Sequence, residues 1–387
     1  MSDYDRDLEH IKIEETCITN EMVDQVDKED YRYYYVDKNL SRPHMLEYYT
    51  PPEELLMITI GKKAPERMIY PLDGPFTKLE EDSYEELLDY FYDKGEELPE
   101  GVTKRRALRF LNGNSFDIKK TYENIIKHIE WRGEMKPFIL SEGDMNLLDK
   151  GFIYIHGRDK NFRPILVINA KIIAGKGVDP DDVFNTAWFV CHYMIENILK
   201  RGSCENWVDI MDLGGLSFTK IPVKALKKFI TESQVHMKSR IAKMFLLHVT
   251  WGIRTIYSIV SPFLEKRTKE KIIMNKGGYN EEILELAHPS QLEEKYGGEA
   301  ENLTEFWPPF AISDEYGCDP DCINQPIEPV QLERRKVKKV RQKEVGMSLA
   351  PSHPVKFVTE PVDVVEGPKR KQAPKADKNS GCKCAIF

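Results

Sequence analysis

The residues with the most definite chemistry in this 387-residue chain are the last four, Cys384-Ala385-Ile386-Phe387. A cysteine followed by two aliphatic residues and a final phenylalanine is a prenylation pattern, and phenylalanine in the last position favours a geranylgeranyl group. Cys382 precedes this pattern and is a candidate for palmitoylation. We therefore predict a lipid anchor on Cys384.

Two basic segments precede these cysteines, ERRKVKKVRQK at 333–343 and KRKQAPKADK at 369–378. They contrast with residues 1–100, which carry 27 acidic and 11 basic side chains in a chain of net charge -8. Each basic residue near an anionic leaflet adds about 1 kcal/mol to membrane binding, whereas one lipid chain alone binds reversibly. We expect the tail to bind an anionic membrane surface. No aromatic residues interleave with the basic ones, so nucleic acid is not the expected partner.

The composition excludes several other classes of protein. There is no apolar run long enough to cross a bilayer, and the polar start lacks a signal-peptide core, so we expect a cytoplasmic protein held at the cytosolic face of membranes. The seven cysteines are scattered, which predicts reduced thiols. The chain has no phosphate-binding glycine loop, nucleophile elbow or metal-spaced histidine set. We expect no enzymatic activity, no metal and no cofactor other than a bound ligand.

Hydrophobic spacing divides the chain into four regions. Residues 1–78 form an acidic, irregular leader, 79–148 a small helical lobe, 149–301 an α/β domain, and 302–387 a basic, proline-rich tail expected to be disordered. Within the third region, helical patterns alternate with the strand patterns GFIYIHG, PILVINA, NWVDIMDL, KMFLLHVT and KIIMN. This alternation predicts a mixed, largely parallel sheet covered by helices, with a hairpin joining the first two strands.

The order of short motifs resembles the CRAL-TRIO family of lipid-binding proteins, which includes the yeast phosphatidylinositol-transfer proteins. The motifs are LRFLNGNSFDIKKTYENIIKHIEWR in the helical lobe, then GRDKNFRPILV, IMDLGGLSF, SPFLEKRTKEKI and LEEKYGG. The resemblance covers residues 84–301. It implies a helical lobe beside an α/β lobe whose sheet is the floor of an apolar pocket covered by a mobile helix.

The residues permit such a pocket, although the same strands would also suit a solid core with helices on both faces. Apolar side chains occur on both faces of GFIYIHG and PILVINA, so one face could line a cavity. The candidate cover is WGIRTIYSIVSPFL at 251–264, which we name the gate segment. Apolar side chains recur along it at three- and four-residue steps, namely Ile253, Ile256, Tyr257, Val260, Phe263 and Leu264. A closed pocket is needed because exposing roughly thirty lipid methylenes to water costs on the order of 25 kcal/mol.

The resemblance also implies headgroup-binding residues. Phosphatidylinositol-binding members carry a threonine and a lysine three residues apart after the Pro-Phe-Leu motif, and Thr268 and Lys271 occupy those positions. Other positions depart from the pattern: basic residues are replaced by Asn114 and Ser115, and a glutamate by Ser239. Phosphatidylinositol is therefore one candidate ligand, beside another phospholipid or an isoprenoid-like molecule.

Two functions are compatible with these features. The first is a membrane-tethered lipid-binding or lipid-transfer protein that exchanges or presents a phospholipid or other hydrophobic ligand. The alternative is a signalling adaptor that uses the same domain to dock proteins or to sense lipid. A lipid that co-purifies with the protein would favour the first.

Overall fold

The computed structural model describes residues 31–34, 43–58, 65–72, 74–135 and 138–309. The predicted lipidation sites Cys382 and Cys384 and both basic tail segments lie outside these residues. Cys191 and Cys204 are the cysteines within them, and both are free thiols. No helix among the described residues is long and apolar enough to cross a bilayer.

A five-stranded mixed sheet forms the centre of the fold. Its strands are β3 (Ile153–Arg158), β4 (Pro164–Asn169), β5 (Trp207–Asp212), β6 (Ile241–Leu247) and β7 (Ile272–Met274), which lie side by side in that order. The β3–β4 pair is antiparallel, as expected for a hairpin, and the other three pairs are parallel. A separate two-stranded ribbon pairs β1 (Met57–Ile58) with β2 (Glu66–Arg67). The predicted α/β class with a mixed, largely parallel sheet is confirmed.

Helices surround this sheet and form the N-terminal lobe. In chain order they are α1 (His44–Tyr48), α2 (Glu53–Leu56), α3 (Lys78–Asp93), α4 (Lys104–Gly113), α5 (Ile118–Met135), α6 (Glu142–Asp149), α7 (Pro180–Tyr193), α8 (Val223–His236), α9 (Trp251–Val260), α10 (Lys266–Glu270) and α11 (Glu281–Leu286). A single π-helical turn, Met194–Ile198, continues α7.

The lobe formed by α3, α4 and α5 begins at a capping box. The Thr77 hydroxyl accepts a hydrogen bond from the Glu80 amide, and the Glu80 carboxylate accepts one from the Thr77 amide, so α3 starts directly after Thr77. Asp117 caps α5, because its Oδ1 accepts from the Lys120 amide at 2.9 Å. These caps satisfy amides that would otherwise lack partners at the helix starts.

The two faces of the sheet are covered differently. On one face of β3 and β4, the side chains of Ile155 and Leu166 pack with Trp188 and Phe189 of α7 in the largest buried cluster. On the opposite face, β4 to β6 pack against α11 and the 3-10 turns that follow it. Large aromatic residues of α7 thus fill the space above GFIYIHG and PILVINA. The sequence permitted a cavity lining on these strands, but both of their faces are packed against helices and turns, and the cavity lies at β5 to β7.

Described parts of the acidic leader pack onto this framework. Tyr33, Tyr34 and Leu46 are buried in the same cluster as α7. The indole N–H of Trp307 donates to the Tyr33 carbonyl at 2.8 Å, which connects the two ends of the described chain. The ribbon strand β2 is buried as well, and its Glu66 takes part in the site described next.

Candidate functional site

An apolar cavity of about 270 Å³ lies between β5, β6, β7, α8 and the gate segment. Its floor consists of side chains from one face of the three strands: Met211, Leu213, Ile241, Met244, Leu246 and Ile272. Its side wall is one face of α8 with the residue that follows the helix, and it is apolar except for one serine: Leu226, Phe229, Ile230, Ser233 and Met237. These residues were not predicted to line a pocket, although their three- and four-residue spacing is typical of an apolar helix face.

The gate segment covers this cavity. Along its length the backbone changes from an α-helix to a 3-10 turn. Thr250 caps α9 with its hydroxyl oxygen, which accepts from the Ile253 amide at 3.4 Å. The α-helix ends at Val260 and continues as a 3-10 turn, Ser261–Phe263. Pro262 contributes to this change, because its ring nitrogen has no hydrogen to donate to the α-helical hydrogen-bond ladder.

Five of the six predicted gate residues line the cavity: Ile253, Ile256, Tyr257, Val260 and Leu264. Phe263 does not. The 3-10 turn directs its side chain outward, where it is 45% exposed and its ring centroid lies 4.6 Å from the Lys227 ammonium. The prediction assumed an unbroken α-helix, and the turn at Pro262 rotates Phe263 away from the cavity.

Polar contacts from α8 and from Lys238, which lies just after it, hold the C-terminal end of the gate segment. The Gln234 side chain donates to the Phe263 carbonyl at 2.6 Å and accepts from the Glu265 amide. The Lys238 ammonium lies 2.9 Å from the Glu265 carboxylate. Gln234 was not singled out in the sequence, because an isolated glutamine carries no motif.

Charged side chains gather at one end of the cavity. Lys271 and Thr268, the predicted headgroup residues, both line this end. The Lys271 ammonium is paired with the Glu66 carboxylate at 3.5 Å, and the Ser239 hydroxyl donates to the other oxygen of Glu66 at 2.7 Å. Burial lowers the pKa of Lys271, and attraction to Glu66 opposes that change. The family pattern has a glutamate where this chain has Ser239. Glu66 supplies a carboxylate here instead, and no sequence motif indicated Glu66.

The same end of the cavity is joined to the helical lobe. Arg267 donates from Nη1 to both the backbone carbonyl and the side-chain oxygen of Asn112, each at 2.9 Å. Asn114, which stands where a basic residue was expected, is buried and donates to the Thr121 hydroxyl. Asn114 thus has a structural partner within the lobe.

The outer surface of the gate segment is also apolar. Trp251, Ile259 and Phe263 are 74%, 43% and 45% exposed, and they recur at multiples of four residues along the segment. Exposed apolar side chains grouped in this way mark surfaces that contact other molecules. Only the inner stripe of this segment was predicted from the sequence.

Residues 148–298 match the family model described as the CRAL/TRIO domain, which supports the resemblance inferred from the motifs. Patellin-6 of Arabidopsis thaliana is 27% identical over 206 residues, covering 49% of this chain and 50% of the relative. Phosphatidylinositol/phosphatidylcholine transfer protein SFH12, from the same organism, is 26% identical over 215 residues, covering 49% of this chain and 38% of the relative. The chain thus spans half or less of these curated relatives. A solved structure, "Crystal structure of Sfh5", matches 69% of this chain and 100% of that chain with a TM-score of 0.48 and 13% identity.

Proposed function

We propose that this protein binds a lipid in the cavity and exchanges or presents it at membranes. The main support for the proposal is the composition of the cavity wall. The wall is apolar along the sheet, α8 and the gate segment, whereas one end of it is charged. Such a wall suits a ligand with apolar tails and a polar head. One relative is named as a phosphatidylinositol/phosphatidylcholine transfer protein, which supports the same class of ligand. The proposal assigns binding and transfer to the cavity, and no catalytic step.

Movement of the gate segment is part of this proposal. Ligand pockets usually span roughly 300–1,000 Å³, and the present cavity of about 270 Å³ lies below that range. A two-chain lipid therefore needs a wider space than this conformation offers. The gate segment is the element that can provide it, because α9 is followed by a turn at Pro262 and is held at that end largely by side-chain contacts.

For the ligand we propose a phospholipid, with phosphatidylinositol as the first candidate. The Thr268 hydroxyl and the Lys271 ammonium can both donate to a phosphate group. Because Lys271 is paired with Glu66, a headgroup that replaces this contact must also provide donors for the carboxylate. Inositol hydroxyls can donate to Glu66 while the phosphate binds Lys271. A choline group has no hydrogen-bond donor.

The membrane contact would involve two separate parts of the chain. Trp251, Ile259 and Phe263 on the gate segment would insert among lipid headgroups and place the cavity next to the bilayer. Prenylation of Cys384, modification of Cys382 and the basic segments at 333–343 and 369–378 would keep the protein at the cytosolic face. This second part is proposed from the sequence alone.

Native mass spectrometry of the purified full chain tests the proposal. We expect a co-purified lipid, and we expect Met244→Trp to reduce its occupancy because the indole would fill the cavity floor. Leu79→Trp adds the same bulk at an exposed position of the helical lobe and should retain the lipid. Repeated absence of lipid from the unmodified protein would contradict the proposal and favour a docking function.

A further inference from the structure

A second cavity, of about 730 Å³, lies between the acidic leader, the strands β6 and β7, and α11. We name it the leader chamber. Its apolar wall is formed largely by side chains of the leader and of the strand and helix opposite: Leu55, Ile58, Met68, Ile69, Ile273 and Leu286. Its volume falls within the range of roughly 300–1,000 Å³ that is usual for ligand pockets, whereas the lipid cavity lies below that range.

The sheet separates the leader chamber from the lipid cavity. Met244 of β6 and Ile272 of β7 line the lipid cavity, whereas their neighbours along the strands, Lys243 and Ile273, line the leader chamber. Successive side chains of a strand point to opposite faces of the sheet, so the two spaces lie on opposite faces. Lys271, which comes directly before β7, borders both. The leader chamber is therefore a separate site that shares one side chain with the lipid cavity.

The wall of the leader chamber favours an apolar ligand. Leu55, Ile58, Ile273 and Leu286 are only half-buried, although they line a space inside the fold. Protein interiors are normally close-packed and contain few voids larger than a water molecule, so a space of this size exceeds an ordinary packing gap. An apolar molecule in it would remove these four side chains from water, which is the main source of favourable free energy in such binding.

The charged side chains that line the leader chamber are already paired. Each described lysine, arginine and glutamate of the lining has an oppositely charged partner, with nitrogen–oxygen separations from 2.6 to 3.8 Å. A charged ligand would have to break one of these pairs or bring an unpaired charge into a partly buried space, and both are costly. The ligand that fits this lining is therefore uncharged. The pairs are Arg163–Asp159, Lys243–Glu282, Lys271–Glu66 and Lys266–Glu270.

Lys271 provides a hydrogen-bond donor to the leader chamber. Its side chain is 8% exposed, and its Nζ lies 3.5 Å from the Glu66 carboxylate and 3.6 Å from Sδ of Met68. An ammonium group has three donors, and a thioether sulfur is a weak acceptor. A ligand oxygen that faces this ammonium would complete its hydrogen bonding. Because Glu66 already balances the charge of Lys271, a hydroxyl oxygen suits this position better than a carboxylate.

We propose that the leader chamber binds an uncharged lipid with a single hydroxyl group, such as a sterol or a diacylglycerol. The apolar body of this lipid would lie against Leu55, Ile58, Ile273 and Leu286, and its hydroxyl oxygen would accept a hydrogen bond from Lys271. The protein would then have two ligand sites of different chemistry, one on each face of the sheet. The second site does not depend on the phospholipid site proposed above.

Native mass spectrometry of the full chain with added dehydroergosterol or dioleoylglycerol tests this proposal. We expect at least one of these probes to bind, with one molecule per chain. Ala242→Phe and Ser203→Phe each place a ring in the leader chamber, so each should weaken binding about tenfold or more. Ser203 is only partly buried in a turn, so its variant should fold even if replacement of the buried Ala242 prevents folding. Leu79→Phe adds a ring at an exposed position of the helical lobe and should leave binding unchanged.

Comparison with the lipid cavity makes the test specific. Met244→Trp, which fills the floor of the lipid cavity, should retain the neutral lipid, whereas Ala242→Phe and Ser203→Phe should retain a co-purified phospholipid. If no phospholipid co-purifies, the proposed function fails, but neutral-lipid binding that only these two phenylalanine variants lose still supports the leader chamber. The proposal would be overturned if neither probe binds, if Met244→Trp loses the probe and the phenylalanine variants keep it, or if all variants bind it equally.

Discussion

Lys271 and Glu66 form a buried ion pair at the polar end of the lipid cavity, with Nζ 3.5 Å from Oε2 and side chains 8% and 4% exposed. Lys271 follows α10, whereas Glu66 lies on β2 in the acidic leader. Ser239 donates to the second oxygen of Glu66, which orients the carboxylate. A region that looked irregular in the sequence thus supplies one half of the charged site.

Removing one member of this pair should destabilise the fold. Glu66→Gln leaves a buried ammonium without its partner, and the expected loss in the free energy of unfolding is about 3–5 kcal/mol. Lys271→Met leaves the carboxylate unpaired and should have a similar effect. Urea unfolding of both variants and of the Glu66→Gln/Lys271→Met double variant would measure the coupling. Losses that simply add in the double variant would show that the pair contributes no coupling energy.

Gln234 should control how readily the gate segment opens. Gln234→Leu removes its hydrogen bonds to Phe263 and Glu265, each contributing a net of roughly 0.5–1.5 kcal/mol. We expect transfer of a fluorescent phospholipid between vesicles to accelerate by roughly fivefold to a hundredfold. Thr231→Val changes an exposed residue of the same helix outside the cavity and should leave the rate unchanged. An unchanged rate in the leucine variant would mean that these contacts do not limit opening.

The exposed apolar face of the gate segment should contribute to membrane contact. Trp251→Ser and Ile259→Ser each remove an apolar side chain that would be buried in the headgroup region, a loss of roughly 1–3 kcal/mol. Vesicle co-sedimentation in a Cys384→Ser background would detect the weaker binding without the anchor. Tyr92, which is 77% exposed on the helical lobe, offers the matched control Tyr92→Ser. Equal losses in all three variants would argue against a specific role for the gate surface.

Membrane residence and lipid binding should be separable. Cys384→Ser removes the predicted prenylation site and should move the protein from the membrane fraction to the soluble fraction of cells. Lipid loading, measured by native mass spectrometry, should persist because the cavity is formed within the described domain. Cys382→Ser should cause only a partial shift. Loss of lipid from the released Cys384→Ser protein would contradict this division.

His156 should make stability depend on pH. The residue is 2% exposed, and burial lowers its pKa to about 4, although attraction to Glu293 opposes the change. Because its pKa in the unfolded chain is about 6.5, the unfolded state binds the proton first, and stability falls as pH decreases from 6.5 to 4. Between these pH values, His156 changes the free energy of unfolding by up to about 1.4 kcal/mol per pH unit. Urea unfolding of His156→Leu across this range should show a shallower slope, and an unchanged slope would contradict the assignment.

Local patterns in the sequence were sufficient to predict most of the elements. The strands from GFIYIHG to KIIMN and the helices between them follow from periods of two and about 3.6 residues, which depend only on neighbours along the chain. The inner stripe of the gate segment was predicted for the same reason. The exception, Phe263, shows the limit of a regular period, since the turn at Pro262 redirects a side chain that ideal helical spacing would place inside.

The sequence by itself thus determined the α/β class, the element order and the apolar stripe of the gate segment, because each depends on short-range spacing. Only the tertiary structure decided that β5 to β7 line the cavity, since the bulk of Trp188 and Phe189 above β3 and β4 is a property of packing. It also brought Glu66 of the acidic leader to Lys271 at the polar end of the cavity. Such contacts depend on how the chain folds back on itself, and spacing along the sequence does not encode them.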